Sequence, residues 1–221
     1  MLEAWEFATQ RPELLAEWTL SHLWIVFVAN GIAVVLGIAL GLYITGKGRD
    51  HVADAVLYLA EITMTIPSLA LFGLLMLLLS SIGLKAIGFL PAVIALVVYG
   101  QLPILRNTYT AIRQIDPPII EAGKGMGMNE RQILLKLKLP LAVPVIMAGL
   151  RNAIVINIGI AAIAALIGAG GLGVPIFRGL RNARMDLIIL GGASVSILAL
   201  LIDALMSRLE RWVTPKGLKR R

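Results

Sequence analysis

The chain alternates between long apolar stretches and short polar ones, on a scale far longer than the repeat of a strand or a soluble amphipathic helix. Five stretches approach or exceed the ~20 residues a helix needs to cross ~30 Å of hydrocarbon. They cover about 20–44, 52–80, 91–106, 141–168 and 186–205. Helices are the expected elements, because an open sheet would strand unpaired backbone groups in lipid. Pro67 falls in the middle of the second stretch. A proline there removes one backbone donor and kinks or splits the helix, and a split would make six spans of five. The first stretch follows an acidic segment, Glu3 to Glu17, and is too long for a signal-peptide core, so it reads as a retained helix. The pattern predicts an all-α integral membrane protein, a single transmembrane domain over 1–221.

Composition agrees. Of 221 residues, 58% are hydrophobic and 15% charged, too apolar for a soluble domain of this length. The formal charge of +7 would suggest nucleic acid in a soluble protein. Here no polar domain is available to bind it, and basic residues at membrane ends meet anionic lipid instead. Lysine and arginine also set orientation. With five spans and the N-terminus outside, fourteen lie in inside segments and five outside, which places the C-terminus in the cytosol. The basic run after Trp212 then reads as an inner anchor. Arg178, Arg181 and Arg184 are the outside exception. Their spacing of three lines one side of a short helix, either a solvated face or a docking face for an external partner.

Candidate chemistry of its own is sparse. With no cysteine, disulfides, thiol catalysis and thiolate metal sites are excluded. His22 and His51 sit at span ends and are too few for a metal site, and no serine, histidine and carboxylate group together for hydrolysis. Gly168 to Gly173 contains GxGxxG, but it follows a membrane helix rather than a strand. Gly41 to Lys47 resembles a phosphate loop, yet Gly48 replaces the hydroxyl residue that would hold magnesium. Neither is a credible nucleotide site.

The polar segment 107–140 carries strong local signals. Asp116 suits an N-cap and Pro117 the first helical position. A short helix through Ile119, Ile120 and Glu121 should stop at Gly123, Gly125 and Gly127. Asn129 and Gln132 form a capping-box pattern, with Met128 and Ile133 spaced as its hydrophobic staple. A second helix from Glu130 should carry Ile133, Leu134 and Leu137 toward Pro140 and join the fourth span directly. Helix, glycine turn and helix would make a rigid lever with a docking surface. An amphipathic segment on lipid is the bland reading, but the apolar face is too sparse for it.

This stretch, "EAGKGMGMNERQILLKLKLP", resembles the EAA loop of ABC-importer permeases. Glu121, Ala122 and Gly127 match that pattern, as do Leu139 and Pro140; Gly123 stands where the pattern has alanine and Leu137 where it has isoleucine. The resemblance covers roughly residues 18–210 and implies a methionine-permease-like type I importer fold with cytosolic coupling helices. It implies docking on an ATPase for Glu121 and Ala122, a bend at Gly127 and a rigid join at Pro140. It also implies that ATP and magnesium are bound by that separate ATPase dimer, and that the chain itself is no enzyme. A second permease copy or related chain and an external substrate-binding protein complete the expected partners, in the bacterial cytoplasmic membrane. "TIPSLALFGLL", "DPPIIEAGKGMGM" and "AALIGAGGLG" are similar to the osmoprotectant branch, which imports glycine betaine, choline or related quaternary ammonium compounds. Methionine and other amino acids are the runner-up substrates. An ATP-independent channel or a scaffold subunit is the alternative of a different class, but neither would need such a loop.

Within the spans, Asp54, Tyr58, Glu61 and Thr65 fall on one helix face. Glu61 lies roughly 15 Å along its helix, where a carboxylate is costly. With Tyr58 it could favour a cationic substrate along a pathway, or it could make a buried ion pair. In the fourth span, Arg151 could snorkel, while Asn157 is deeper and faces protein or a water path. Gly149, Ala153, Ala161, Ala165 and Ala169 make small-xxx-small pairs, suited to packing or to a dimer seam.

Overall fold

The computed structural model describes residues 9–215. Glu3 and the tail residues Lys216, Lys219, Arg220 and Arg221 lie outside the described residues, so the acidic lead-in and the basic anchor are seen only in part. Among the described residues every regular element is helical. Helix α1 spans Pro12–Ile44, α2 Asp50–Thr65, α3 Ser68–Ser81, α4 Phe89–Arg113 and α5 Pro117–Gly125. Helix α6 runs from Glu130 to Ile167, α7 is Gly173–Arg181 and α8 is Met185–Val213.

Four helices, α1, α4, α6 and α8, are long and apolar enough to cross a membrane, and the α2–α3 pair makes a fifth crossing if counted as one. The pair bends by 104° at Pro67. Ile66 is driven to extended geometry (φ −72°, ψ 123°), as a residue before proline must be, and a new helix starts at Ser68. The Tyr99 hydroxyl donates to the Ile66 carbonyl that the break leaves without a helical partner. The halves have 16 and 14 residues, about 24 and 21 Å, so neither spans ~30 Å alone. The six-span alternative therefore does not hold. The other spans extend beyond their apolar centres, because polar first and last turns continue the helix past the hydrocarbon limit.

The helices alternate in direction between two ends. At one end the glycine turn 168–173 meets the start of α1, where the Leu172 N–H donates to His22. The Gly88 N–H there donates to the Ile167 carbonyl at 2.8 Å. At the other end, the loop end, Lys47 pairs with Glu130 and Arg113 with Asp50. The two described termini therefore emerge at opposite ends.

Helices α1, α4 and α6 form the centre. Their contact faces are small: Ala29, Ala33, Ala92, Ala95, Ala153 and Ala161 are all essentially inaccessible. At Gly149 a Cβ would lie 2.7 Å from the Pro103 carbonyl oxygen, so glycine sets the α4–α6 separation. The small-residue row of the fourth span is thus consumed within the chain by α4 and α1, and offers no dimer seam at Gly149, Ala153 or Ala161. Helices α2, α3 and α8 pack around this centre with large apolar residues turned outward, as at Leu77, Leu200 and Leu201.

Candidate functional site

The 114–140 segment folds into an elbow. Pro117 occupies the first turn of α5, with Asp116 at the N-cap, though the Asp116 side chain makes no capping hydrogen bond. The helix runs through Gly123 and ends at Gly125, within the run of glycines expected to stop it. Gly123 fails to break it because its missing side chain is used for packing. A Cβ there would lie 2.6 Å from a Leu137 methyl. The stop comes from Gly127, in the left-handed region at φ 78°. The Met128 N–H donates to the Gly123 carbonyl at 3.1 Å and the Gly127 N–H to that of Lys124 at 2.9 Å, a Schellman closure.

The second arm starts at once. Asn129 accepts from the Gln132 N–H and the Gln132 side chain accepts from the Asn129 N–H, both at 2.9 Å, as the sequence predicts. From Glu130 the helix is unbroken to Ile167, 38 residues in all. Residues Ile133–Lys138 form a π turn, with the Leu139 N–H donating to the carbonyl of Leu134. Pro140 accounts for it: an α turn would drive the proline ring against the Lys136 carbonyl four residues back, and widening the turn relieves that collision.

The elbow is braced and open. Lys47, on the α1–α2 connection, pairs with Glu130 at the tip of the second arm. The Lys47 ammonium holds the Glu130 carboxyl below the usual range, and Glu130 itself is exposed, ahead of the apolar part of α6. Glu121 and Ala122 point outward, and so do Ile119 and Met126, the latter 73% exposed. Leu137, Leu139 and Pro140 are half-buried at the join. A surface of apolar and charged residues is thus presented on a rigid arm fused to a membrane helix.

The remaining predicted residues do not converge. Asn157 is fully buried. Its amide donates to Asn30 Oδ1 and to the Leu96 carbonyl, both at 3.0 Å, tying α6 to α1 and α4. Glu61 pairs with Arg106 of α4, and Tyr58 beside it is open. Arg178 and Arg181 are on α7, but Arg184 lies beyond its end, so the three do not share one helix. Arg178 lies 5.7 Å from the centre of the Trp18 ring, and Arg184 pairs with Asp186. Arg151 does not snorkel. It makes a two-pronged pair with Asp203 of α8, including a 2.6 Å contact to Oδ2.

Two residues carry more than their sequence context suggested. Asp203 was legible in principle, since an arginine inside one span calls for an acid in another. His22 was not. It is buried, its Nε2 donates to the Ile158 carbonyl at 3.1 Å and its Nδ1 accepts from the Leu172 N–H at 3.3 Å. It is a neutral imidazole locking α1, α6 and the glycine turn. The two loop-like decoys resolve simply. Residues 41–44 are the last turn of α1, and Gly168 to Gly173 follow a 3₁₀ turn, Ala164–Ile167.

A bundle of this topology with an elbow on its fourth crossing is the membrane-spanning subunit of an ABC importer. The structure superimposes on that of the methionine ABC transporter MetNI in an inward-facing conformation, with a TM-score of 0.80 and 25% identity over 93% of this chain and 99% of that one. A likeness to an amino-acid ABC transporter solved with histidines (TM-score 0.77, 22% identity, 92% and 95% covered) shows the same fold. Residues 31–216 match the family described as binding-protein-dependent transport system inner membrane component, and the chain belongs to it. The chain is 45% identical over 205 residues to the osmoprotectant import permease protein OsmW of Salmonella typhimurium, covering 93% of this chain and 94% of that one. It is 40% identical over 211 residues to the glycine betaine/carnitine/choline permease OpuCB of Bacillus subtilis (96% and 93% covered). It is 40% identical over 212 residues to the choline permease OpuBB of the same organism (96% and 94% covered).

Proposed function

We infer that this chain is the permease subunit of an ATP-driven importer of osmoprotectants such as glycine betaine, choline and related quaternary ammonium compounds. The observation that carries the mechanism is the elbow, capped at both arms and continuous with a membrane-crossing helix. A partner ATPase docks on Glu121, Ala122 and the exposed apolar residues beside them, and its closure is passed along α6. The ATPase dimer binds the ATP and magnesium. The loop end faces the cytosol and the glycine turn faces outward, where an external binding protein delivers solute beside Arg178 and Arg181. A second permease copy, identical or related, completes the pathway. The substrate class rests on the identity of 40–45% to relatives named for these solutes.

The test is uptake of labelled glycine betaine, choline, carnitine and methionine by cells carrying this chain with its ATPase and binding protein. ATP-dependent uptake of quaternary ammonium solutes against their gradient, which stops when Glu121→Cys is cross-linked to the ATPase, is expected. Uptake of methionine alone would overturn the substrate class, and uptake without ATP turnover would overturn the mechanism.

A further inference from the structure

The face of α2 bearing Asp54, Tyr58, Glu61 and Thr65 is polar and open. Only Ala53 and Ala60 of this helix are buried, while Tyr58 is 63% exposed. Asp54, Ala55, Leu57, Tyr58 and Glu61 line a depression of about 530 Å³. Arg106 of α4 pairs with Glu61 at the edge of this depression, yet the two side chains stay 55% and 43% exposed. Depth makes this exposure informative. Arg113 and Asp50 close the loop end of the same two helices. Glu61 stands eleven residues, about 16 Å, past Asp50, and Arg106 seven residues, about 10 Å, before Arg113. An ion pair left half-exposed at the edge of the apolar stretch, with Asp54 nearer the loop end on the same face, borders water or protein rather than hydrocarbon.

We propose that Tyr58, Glu61 and Arg106 form a subsite that reads zwitterions carrying a quaternary ammonium and a carboxylate. The proposal rests on the osmoprotectant reading above. The Tyr58 ring and the Glu61 carboxylate take the ammonium, because a soft cation is held by a ring face and an opposite charge. Arg106 takes the carboxylate, for which its planar fork is suited. The resident Glu61–Arg106 pair is what makes the site selective. A zwitterion that enters replaces each partner of that pair, so neither charge is left alone. A simple cation satisfies Glu61 but leaves Arg106 without its partner, so it gains one charge-assisted contact where a zwitterion gains two. The subsite therefore favours betaines over choline.

The experiment uses the complete transporter in proteoliposomes, with binding protein in excess, and measures uptake of glycine betaine and choline. Arg106→Gln is expected to lower betaine uptake relative to choline uptake by about tenfold, the size of one lost charge-assisted contact. Glu61→Gln is expected to lower both. The exchange E61R with R106E keeps a pair between the helices but sets the arginine beside the ring, and is expected to leave uptake of both solutes low. Recovery of wild-type uptake by that exchange would make the pair structural and overturn the subsite. So would an unchanged betaine-to-choline ratio in Arg106→Gln. Wild-type transport of choline and of no zwitterion would overturn the subsite and leave the osmoprotectant reading standing, whereas transport of neither solute would overturn both.

Discussion

Two single residues at the elbow show how a departure from a family pattern acquires a physical meaning. Gly123 and Leu137 are the two positions where the loop differs from the EAA pattern, and they touch. A Cβ on residue 123 would collide with a Leu137 methyl at 2.6 Å. Gly123→Ala alone should destabilise the elbow by about 1–3 kcal/mol through overpacking. Combined with Leu137→Ile, which reshapes the opposing side chain, it should lose less than Gly123→Ala does alone. Thermal unfolding of the single and double variants in detergent measures that coupling. His22 is the complementary case, since its partners are backbone groups 136 and 150 positions away and no local pattern announces them. His22→Leu strands the Leu172 N–H, a buried donor worth about 1–3 kcal/mol without a partner, and removes the second hydrogen bond of the Ile158 carbonyl, which keeps its helical one. The expected drop in unfolding temperature should exceed that of His51→Leu, because His51 is exposed.

At the scale of elements, the signals that came true were those with a local cause. The capping box, the proline start of α5 and the break at Pro67 each depend on residues within a turn of one another, and each was legible. The angle of the break was not, because the fixing contact comes from Tyr99 on another helix. Which of the three glycines ends α5 was hidden for a similar reason, since Gly123 packs across the elbow instead of breaking a helix. The π turn at Ile133–Lys138 also escaped notice, although Pro140 causes it. Pro140→Ala restores a donor and removes the ring, so the turn can relax to α geometry. That change shifts the phase of the elbow against α6 by about one residue, roughly 100°. Such a variant should still hydrolyse ATP with its partners but import about tenfold less solute per ATP, measured as the transport-to-hydrolysis ratio in proteoliposomes.

At the scale of the whole molecule, the long apolar helices were readable because bilayer thickness is a fixed ruler for their length. What packs against what was not. The small residues of α6 were compatible with a seam between copies, and only the approach of α4 at Gly149 assigns them to the interior. Asn157 was equally ambiguous until Asn30 and Leu96 closed around it. Orientation rests on charge asymmetry and is open to direct test. The chain has no cysteine, so single introduced thiols label without background. Arg178→Cys should react with an impermeant maleimide on intact cells stripped of their outer envelope, and Lys124→Cys only after permeabilisation. The reverse pattern would invert the molecule.

The length of α6 has a consequence of its own. Its 38 residues make a rod of about 57 Å that begins at the elbow and finishes at the turn clasped by His22. A tilt of only about 10° would sweep its two tips apart laterally by about 10 Å. Opening on one side of the bilayer and shutting on the other then need no relay of side chains, because they are the two arms of a single seesaw.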